Sequence, residues 1–135
     1  MKNILILCTG NSCRSQIADG YFSKILKNKA TVYSAGIEAH GLNKYVVETM
    51  QRDKIDISNN TSNKVEEYFE INFDFIITVC DHANENCPFF PSKNAIKIHH
   101  NFFDPSKINN SKDLDFDKCR NKIKEFAINF CEKYF

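Results

Sequence analysis

Residues 5–20 read LILCTGNSCRSQIADG. Leu5, Ile6 and Leu7 run straight into Cys8, the stretch from Thr9 to Arg14 offers little to a core, and a helical pattern begins near Ser15. An apolar strand that turns through a short polar loop into a helix is the building unit of parallel sheets, and ligands sit at such carboxyl ends of strands. A loop folded back on a helix N-terminus points several backbone N–H groups at one spot, where the helix dipole adds partial positive charge. Gly10 permits torsions that other residues resist, Asn11 tolerates a left-handed conformation, and Arg14 offers a planar fork that matches a tetrahedral oxyanion. Thr9, Gly10, Asn11, Ser12, Cys13 and Arg14 are therefore the candidate anion-binding residues. The same field favours a thiolate at Cys8, and a hydrogen bond from Ser15 would lower its pKa further. A cysteine that closes a strand is most often a small core residue. The C-x5-R spacing at a strand-to-helix turn, with Gly, Asn and Ser inside, argues instead for a nucleophile in an anion cradle.

Working outward, short β-rich apolar runs recur at Ile4–Leu7, Val32–Ala35 and Phe73–Val79, with a weaker one at Ala95–Ile98, as expected of buried strands. Between them lie helical patterns. Ile17, Ala18, Tyr21, Phe22, Ile25 and Leu26 form one apolar stripe, Val46, Val47 and Met50 a second, and Val65, Tyr68 and Phe69 a third. The longest stripe, Phe116, Cys119, Ile123, Phe126, Ala127, Phe130, Cys131 and Tyr134, closes the chain. This alternation predicts an α/β fold, a single domain over residues 1–135 with a four-stranded parallel sheet and helices on both faces. No repeat, low-complexity tract or linker interrupts it.

The 135 residues suffice for a core without staples. A net charge of +1, with lysines scattered along the chain, gives no basic face for nucleic acid. The first apolar run is too short for a secretory signal, and no stretch approaches the roughly 18 apolar residues of a membrane helix. A cytoplasmic protein without a membrane or nucleic-acid partner is expected, and a monomer. In that compartment six cysteines point to redox or metal chemistry rather than structural disulfides. Zinc is disfavoured, because there is no Cys-x-x-Cys pair and His82, His99 and His100 fall at no standard ligand spacing.

The loop CTGNSCRSQIADG together with YSAGIEAHGLN at residues 33–43 resembles the low-molecular-weight tyrosine phosphatase fold, and within it the thioredoxin-coupled arsenate reductases. The similarity runs from the first strand to the Asp-Pro near residue 104. Residues 78–88, TVCDHANENCP, place Cys80 at the end of a strand and Cys87 beyond six polar or small residues. The two can meet if the segment rearranges, since a disulfide needs Cα atoms within roughly 7 Å. The resemblance implies a relay through Cys8, Cys80 and Cys87, with thioredoxin as reductant and arsenate as substrate. It also implies a general acid at Asp104 in FFDPS, where an Asp-Pro alone would be read as a turn. Phe103 stands where the family usually has an acidic residue. The resemblance further implies a potassium site at Asn11, Asp19, Ser34 and Asn63; the family more usually has Glu on the helix and Asp at the last position, so cation affinity should be lower. No organic cofactor is required, because the thiols carry the electrons. Cys13, Cys119 and Cys131 read as structural, and Glu38 and His40 receive no chemical role. The alternative is a phosphatase working through a cysteinyl-phosphate, against which Ser106 stands where the phosphatases tend to place an aromatic residue.

Overall fold

The computed structural model describes residues 1–87, 94–110 and 112–135. Four strands, β1 (Lys2–Cys8), β2 (Ala30–Gly36), β3 (Phe75–Thr78) and β4 (Ile96–His99), form one parallel sheet in the order β2-β1-β3-β4. Four α-helices join them: α1 (Arg14–Ile25), α2 (Lys44–Arg52), α3 (Asp81–Glu85) and α4 (Asp113–Tyr134). β1 is the innermost apolar run, with Ile4 to Leu7 wholly buried.

The period-2 alternation of strand side chains assigns the two faces. Ile4 pairs in register with Val32 and Phe75, and Phe75 meets Phe130 edge-on at 5.1 Å between ring centroids. That face carries α1 and α4, with α2 packed against both helices. Leu5 pairs with Tyr33 and Ile76 on the opposite face, where Tyr33 packs on Tyr68 of a single 3-10 turn (Val65–Tyr68) and α3 lies against β1 and β3. Phe22 of α1 is sealed between Phe126 and Phe130 of α4, at 6.3 and 5.1 Å. Truncating a ring so enclosed costs about 3–5 kcal/mol.

The expected parallel sheet with helices on both faces is present, and three local expectations differ. The stripe Val65, Tyr68, Phe69 makes one 3-10 turn rather than a helix, because its apolar positions supply no more than one turn of burial. Ile25 is 38% exposed, since α1 ends there and the buried contact passes to Leu26. Residues 81–85, left unassigned by periodicity, form α3, which buries only Ala83. Among the described residues, no helix is long and apolar enough to cross a membrane, and no cluster of His, Cys, Asp and Glu is arranged to hold a metal ion.

Candidate active site

The loop between β1 and α1 is held from outside by its own carbonyls. Those of Cys8, Thr9, Gly10 and Ser12 accept from the backbone N–H groups of Ile37, Glu38, His40 and Asn43 at 2.9–3.1 Å. The Asn11 carbonyl accepts from Gln16 Nε2 at 3.1 Å. In a planar trans peptide the N–H points opposite to the C=O, so turning these oxygens outward aims the N–H groups of residues 9–13 into the concavity. Cys13, the residue before α1, makes no side-chain cap, and no acidic residue occupies the first turn. Nothing on the helix itself competes with an anion for its N-terminus.

Close backbone approach shapes the same loop. A Cβ on Gly36, at the end of β2, would lie 2.7 Å from the Asn11 nitrogen and 2.8 Å from the Thr9 oxygen, and one on Gly10 would lie 2.3 Å from His40 Nδ1. His40 is in turn fixed by Glu38 Oε2 at 2.6 Å. Glu38 and His40 thus brace the outer wall of the cradle.

Arg14 has its side chain only 12% exposed. Nη1 donates to the Phe102 carbonyl at 3.0 Å and Nη2 to Asp104 Oδ2 at 3.5 Å, while Nε is buried with no hydrogen-bond partner among the described residues. A guanidinium with a buried, unspent Nε–H is prepared for an oxyanion. Asp104 Oδ1 accepts from both the nitrogen and the hydroxyl of Ser106, at 3.0 and 2.6 Å. These bonds hold the carboxyl group beside Arg14.

Cys8 is 2% exposed. Ser15 Oγ lies 2.8 Å from its sulfur and also accepts from Asn11 Nδ2 at 2.7 Å; a thiolate only accepts, so with Cys8 ionised Ser15 is the donor of that contact. Asn11, at φ 48°, is itself oriented by the Asn63 N–H donating to its Oδ1 at 2.8 Å. The sequence reading expects the positive field to lower the Cys8 pKa. The structure corrects this: burial pushes the thiol up from its ordinary value, against the downward pulls of Ser15 and Arg14. Desolvation outweighs the stabilising groups because the sulfur is almost sealed from water.

Cys80 follows β3, is 2% exposed, and caps α3 by accepting from the Ala83 N–H at 3.4 Å. Its sulfur is 3.3 Å from Thr9 Oγ1, and a charge on Cys80 is near enough to raise the pKa of Cys8. The geometry therefore brings Cys8, Cys80, Arg14, Ser15 and Asp104 around one loop. Cys87 stands apart. It is half-buried beside β4, in a cavity of about 320 Å³ that it shares with Thr78, Asn84, Lys97 and His99; burial pushes its thiol up and Lys97 pulls it down.

Asp19, Ser34 and Asn63 line a second cavity, of about 270 Å³. Asp19 accepts from Ser23 at 2.7 Å and Ser34 at 3.0 Å, and burial pushes its carboxyl pKa up. Among the described residues no Lys, Arg or His pairs with it. This oxygen-rich setting fits a monovalent cation. Asn11 does not line this cavity, but it adjoins it through Asn63, whose N–H donates to the Asn11 Oδ1 at 2.8 Å. Cys13, Cys119 and Cys131 are buried, and burial pushes Cys13 well up, Cys119 to about 12 and Cys131 to about 11. Cys119 donates to the Phe103 carbonyl at 3.5 Å, a contact that steadies the segment bearing Asp104.

Sequence reasoning did not single out Gln16, whose amide spans the Asn11 and Thr61 carbonyls while its oxygen accepts from Asn60. A polar residue next to Ile17 and Ala18 on a helix reads as solvent-facing, and its burial depends on the distant loop at residues 60–63.

Residues 3–134 match the family model described as low molecular weight phosphotyrosine protein phosphatase. The chain belongs to that family. Among its relatives, Arsenate reductase 1 of Staphylococcus epidermidis is 42% identical over 133 residues, covering 98% of this chain and 97% of that one. Arsenate reductase 2 of Staphylococcus haemolyticus is 45% identical over 129 residues, covering 96% and 95%. A solved arsenate reductase in an oxidized state superposes with a TM-score of 0.85 at 27% identity over 98% of both chains. The tyrosine phosphatase Wzb from Escherichia coli K30, in complex with sulphate, superposes at 0.83 with 18% identity over 99% of each; that likeness concerns the fold alone.

Proposed function

We propose that this protein reduces arsenate to arsenite through three thiols and is recycled by thioredoxin in the cytoplasm. The observation that carries the reading is the Cys80 sulfur at 3.3 Å from the Thr9 hydroxyl, which puts a second thiol at the edge of the cradle that holds the first. A phosphatase releases its phosphocysteine to water and has no use for a thiol there. The near full-length relatives named arsenate reductase support the same choice.

Arsenate is held by the inward N–H groups of residues 9–13 and by Arg14. The Cys8 thiolate attacks arsenic, and Asp104 gives a proton to the departing oxygen, which leaves as water. Cys80 then attacks the Cys8 sulfur. The sulfur–arsenic bond breaks, its electron pair stays on arsenic, and arsenite departs as a Cys8–Cys80 disulfide forms. Cys87 next attacks Cys80, which frees the Cys8 thiolate and leaves a Cys80–Cys87 disulfide for the external dithiol. The five-residue helix α3 lies between Cys80, whose sulfur sits by the Thr9 hydroxyl, and Cys87, which lines the cavity beside β4, so α3 must unwind in this step to bring their Cα atoms within the roughly 7 Å that a disulfide allows. Potassium would be held by Asp19, Ser34 and Asn63, with Asn11 beside them, and would supply the positive charge that the half-buried Asp19 lacks.

Arsenate-dependent NADPH consumption, coupled through thioredoxin and thioredoxin reductase, tests the reading. Sustained consumption that is lost in Cys87→Ser is expected. Brisk release of phosphate from p-nitrophenyl phosphate, with no arsenate-dependent consumption, would transfer the protein to the phosphatase reading.

A further inference from the structure

Helix α3 spans five residues and buries only Ala83. A segment that short does not hold itself in water, because nucleation is costly and few bonds repay it. Its stability must come from what ties it to the sheet. Among the described residues, three side-chain contacts do so. His99 at the end of β4 lies 2.7 Å through Nε2 from Asp81 Oδ1, and 2.7 Å through Nδ1 from the buried Thr78 hydroxyl. Asn101 Oδ1 accepts the Asp81 N–H at 3.0 Å, and the Thr78 hydroxyl lies 3.4 Å from Asn84 Oδ1.

The proton count identifies His99 as the central tie. Asp81 as a carboxylate only accepts, so Nε2 must carry the proton of that bond. Nδ1 either donates to Thr78, whose hydroxyl then turns to Asn84, or accepts from it. In both arrangements the bond to Asp81 survives. The first residue of α3 is thus anchored, through one ring, to the buried end of β3.

Asp81 directly follows Cys80, and His99 shares a cavity wall with Cys87. We infer that His99 is a positioning residue for the thiol relay: it latches α3 in the folded form that keeps Cys80 and Cys87 apart, and so sets the balance between their dithiol and disulfide. The inference rests on the three-thiol reading above. The Cys80–Cys87 disulfide requires an unwound α3, in which Asp81 moves off His99, so the latch stabilises the dithiol form alone. Loss of one hydrogen bond to a charged acceptor is worth about a tenfold change in equilibrium. His99→Ala should shift the couple about tenfold toward disulfide, a potential lower by about 30 mV for two electrons.

The test uses full-length protein carrying Cys8→Ser, equilibrated in graded ratios of oxidised and reduced dithiothreitol. Formation of the disulfide takes two electrons and two protons from Cys80 and Cys87 and passes them to the oxidised dithiothreitol. His99→Ala and Asp81→Ala should each shift the constant about tenfold, the double variant no further, and Asp81→Asn, which keeps a neutral acceptor for Nε2–H, should shift it by clearly less than Asp81→Ala. Amide exchange in the reduced proteins gives a second reading. The N–H groups of Asn84 and Asn86, bonded to the Cys80 and His82 carbonyls, should exchange about tenfold faster without His99. Unchanged exchange, or independent additive shifts from His99 and Asp81, would overturn the latch. Faster exchange in a protein whose parent never forms the Cys80–Cys87 disulfide would sustain the tie and refute the relay.

Discussion

Replacing Ser15 with alanine isolates the group that most directly stabilises the attacking sulfur. The Ser15 hydroxyl lies 2.8 Å from Cys8 and accepts from Asn11 Nδ2 at 2.7 Å, and because a thiolate only accepts, Ser15 donates to the ionised sulfur. A hydrogen bond to a charged acceptor is worth roughly 1.5–3 kcal/mol, and 1.36 kcal/mol corresponds to one pKa unit. Ser15→Ala should therefore raise the Cys8 pKa by about one to two units, on top of the upward push that burial already exerts. The assay is the rate of iodoacetamide alkylation at Cys8 against pH, read by mass spectrometry in a Cys80→Ser, Cys87→Ser background. The inflection should move to higher pH by that amount, and Ser15→Thr should restore most of it. An inflection that stays in place would show that Ser15 does not bond the thiolate, and one that falls would reverse the sign of the argument.

Asp104→Asn keeps the contact with Ser106 but removes the transferable proton; the first turnover with arsenate should slow by about 10²- to 10⁴-fold, checked by rapid quench. Gly10→Ala drives a Cβ into the His40 ring and should lower kcat/KM by on the order of 10²-fold through a displaced loop, with His40→Gly restoring much of the loss in steady-state assays. Burial holds Cys119 near 12 and Cys131 near 11. Their folded values lie above the unfolded ones, so the stability they lend is complete below the ordinary thiol value and fades as pH rises through the folded values. Urea midpoints measured from pH 8 to 11 should fall less steeply in Cys119→Val.

Much of the architecture could be read from local pattern. The apolar run ending at Cys8 and the stripe from Phe116 to Tyr134 each carry their own periodicity, and both elements formed where that periodicity put them. The cradle was equally legible, because Cys8, Gly10, Asn11 and Arg14 lie within seven residues and one strand-to-helix turn brings them together. What escaped the sequence depends on long-range partners. α3 has almost no apolar stripe and exists through Thr78, His99 and Asn101, up to 20 residues distant. Gln16 is buried only because the distant loop at residues 60–63 packs over it and supplies Asn60 and Thr61 as partners. The sign of the Cys8 shift was missed for a different reason: residue types announce the stabilising charges, whereas the burial that opposes them is a property of the packed fold.

The central claim is that electrons pass from Cys8 to Cys80 to Cys87. Its most direct test is a single turnover of Cys87→Ser with one equivalent of arsenate, quenched in acid and mapped by mass spectrometry without reduction. The account predicts one arsenite released per protein and a disulfide joining Cys8 to Cys80. Arsenite released with both of those thiols still free, or a disulfide at any other pair, would contradict it.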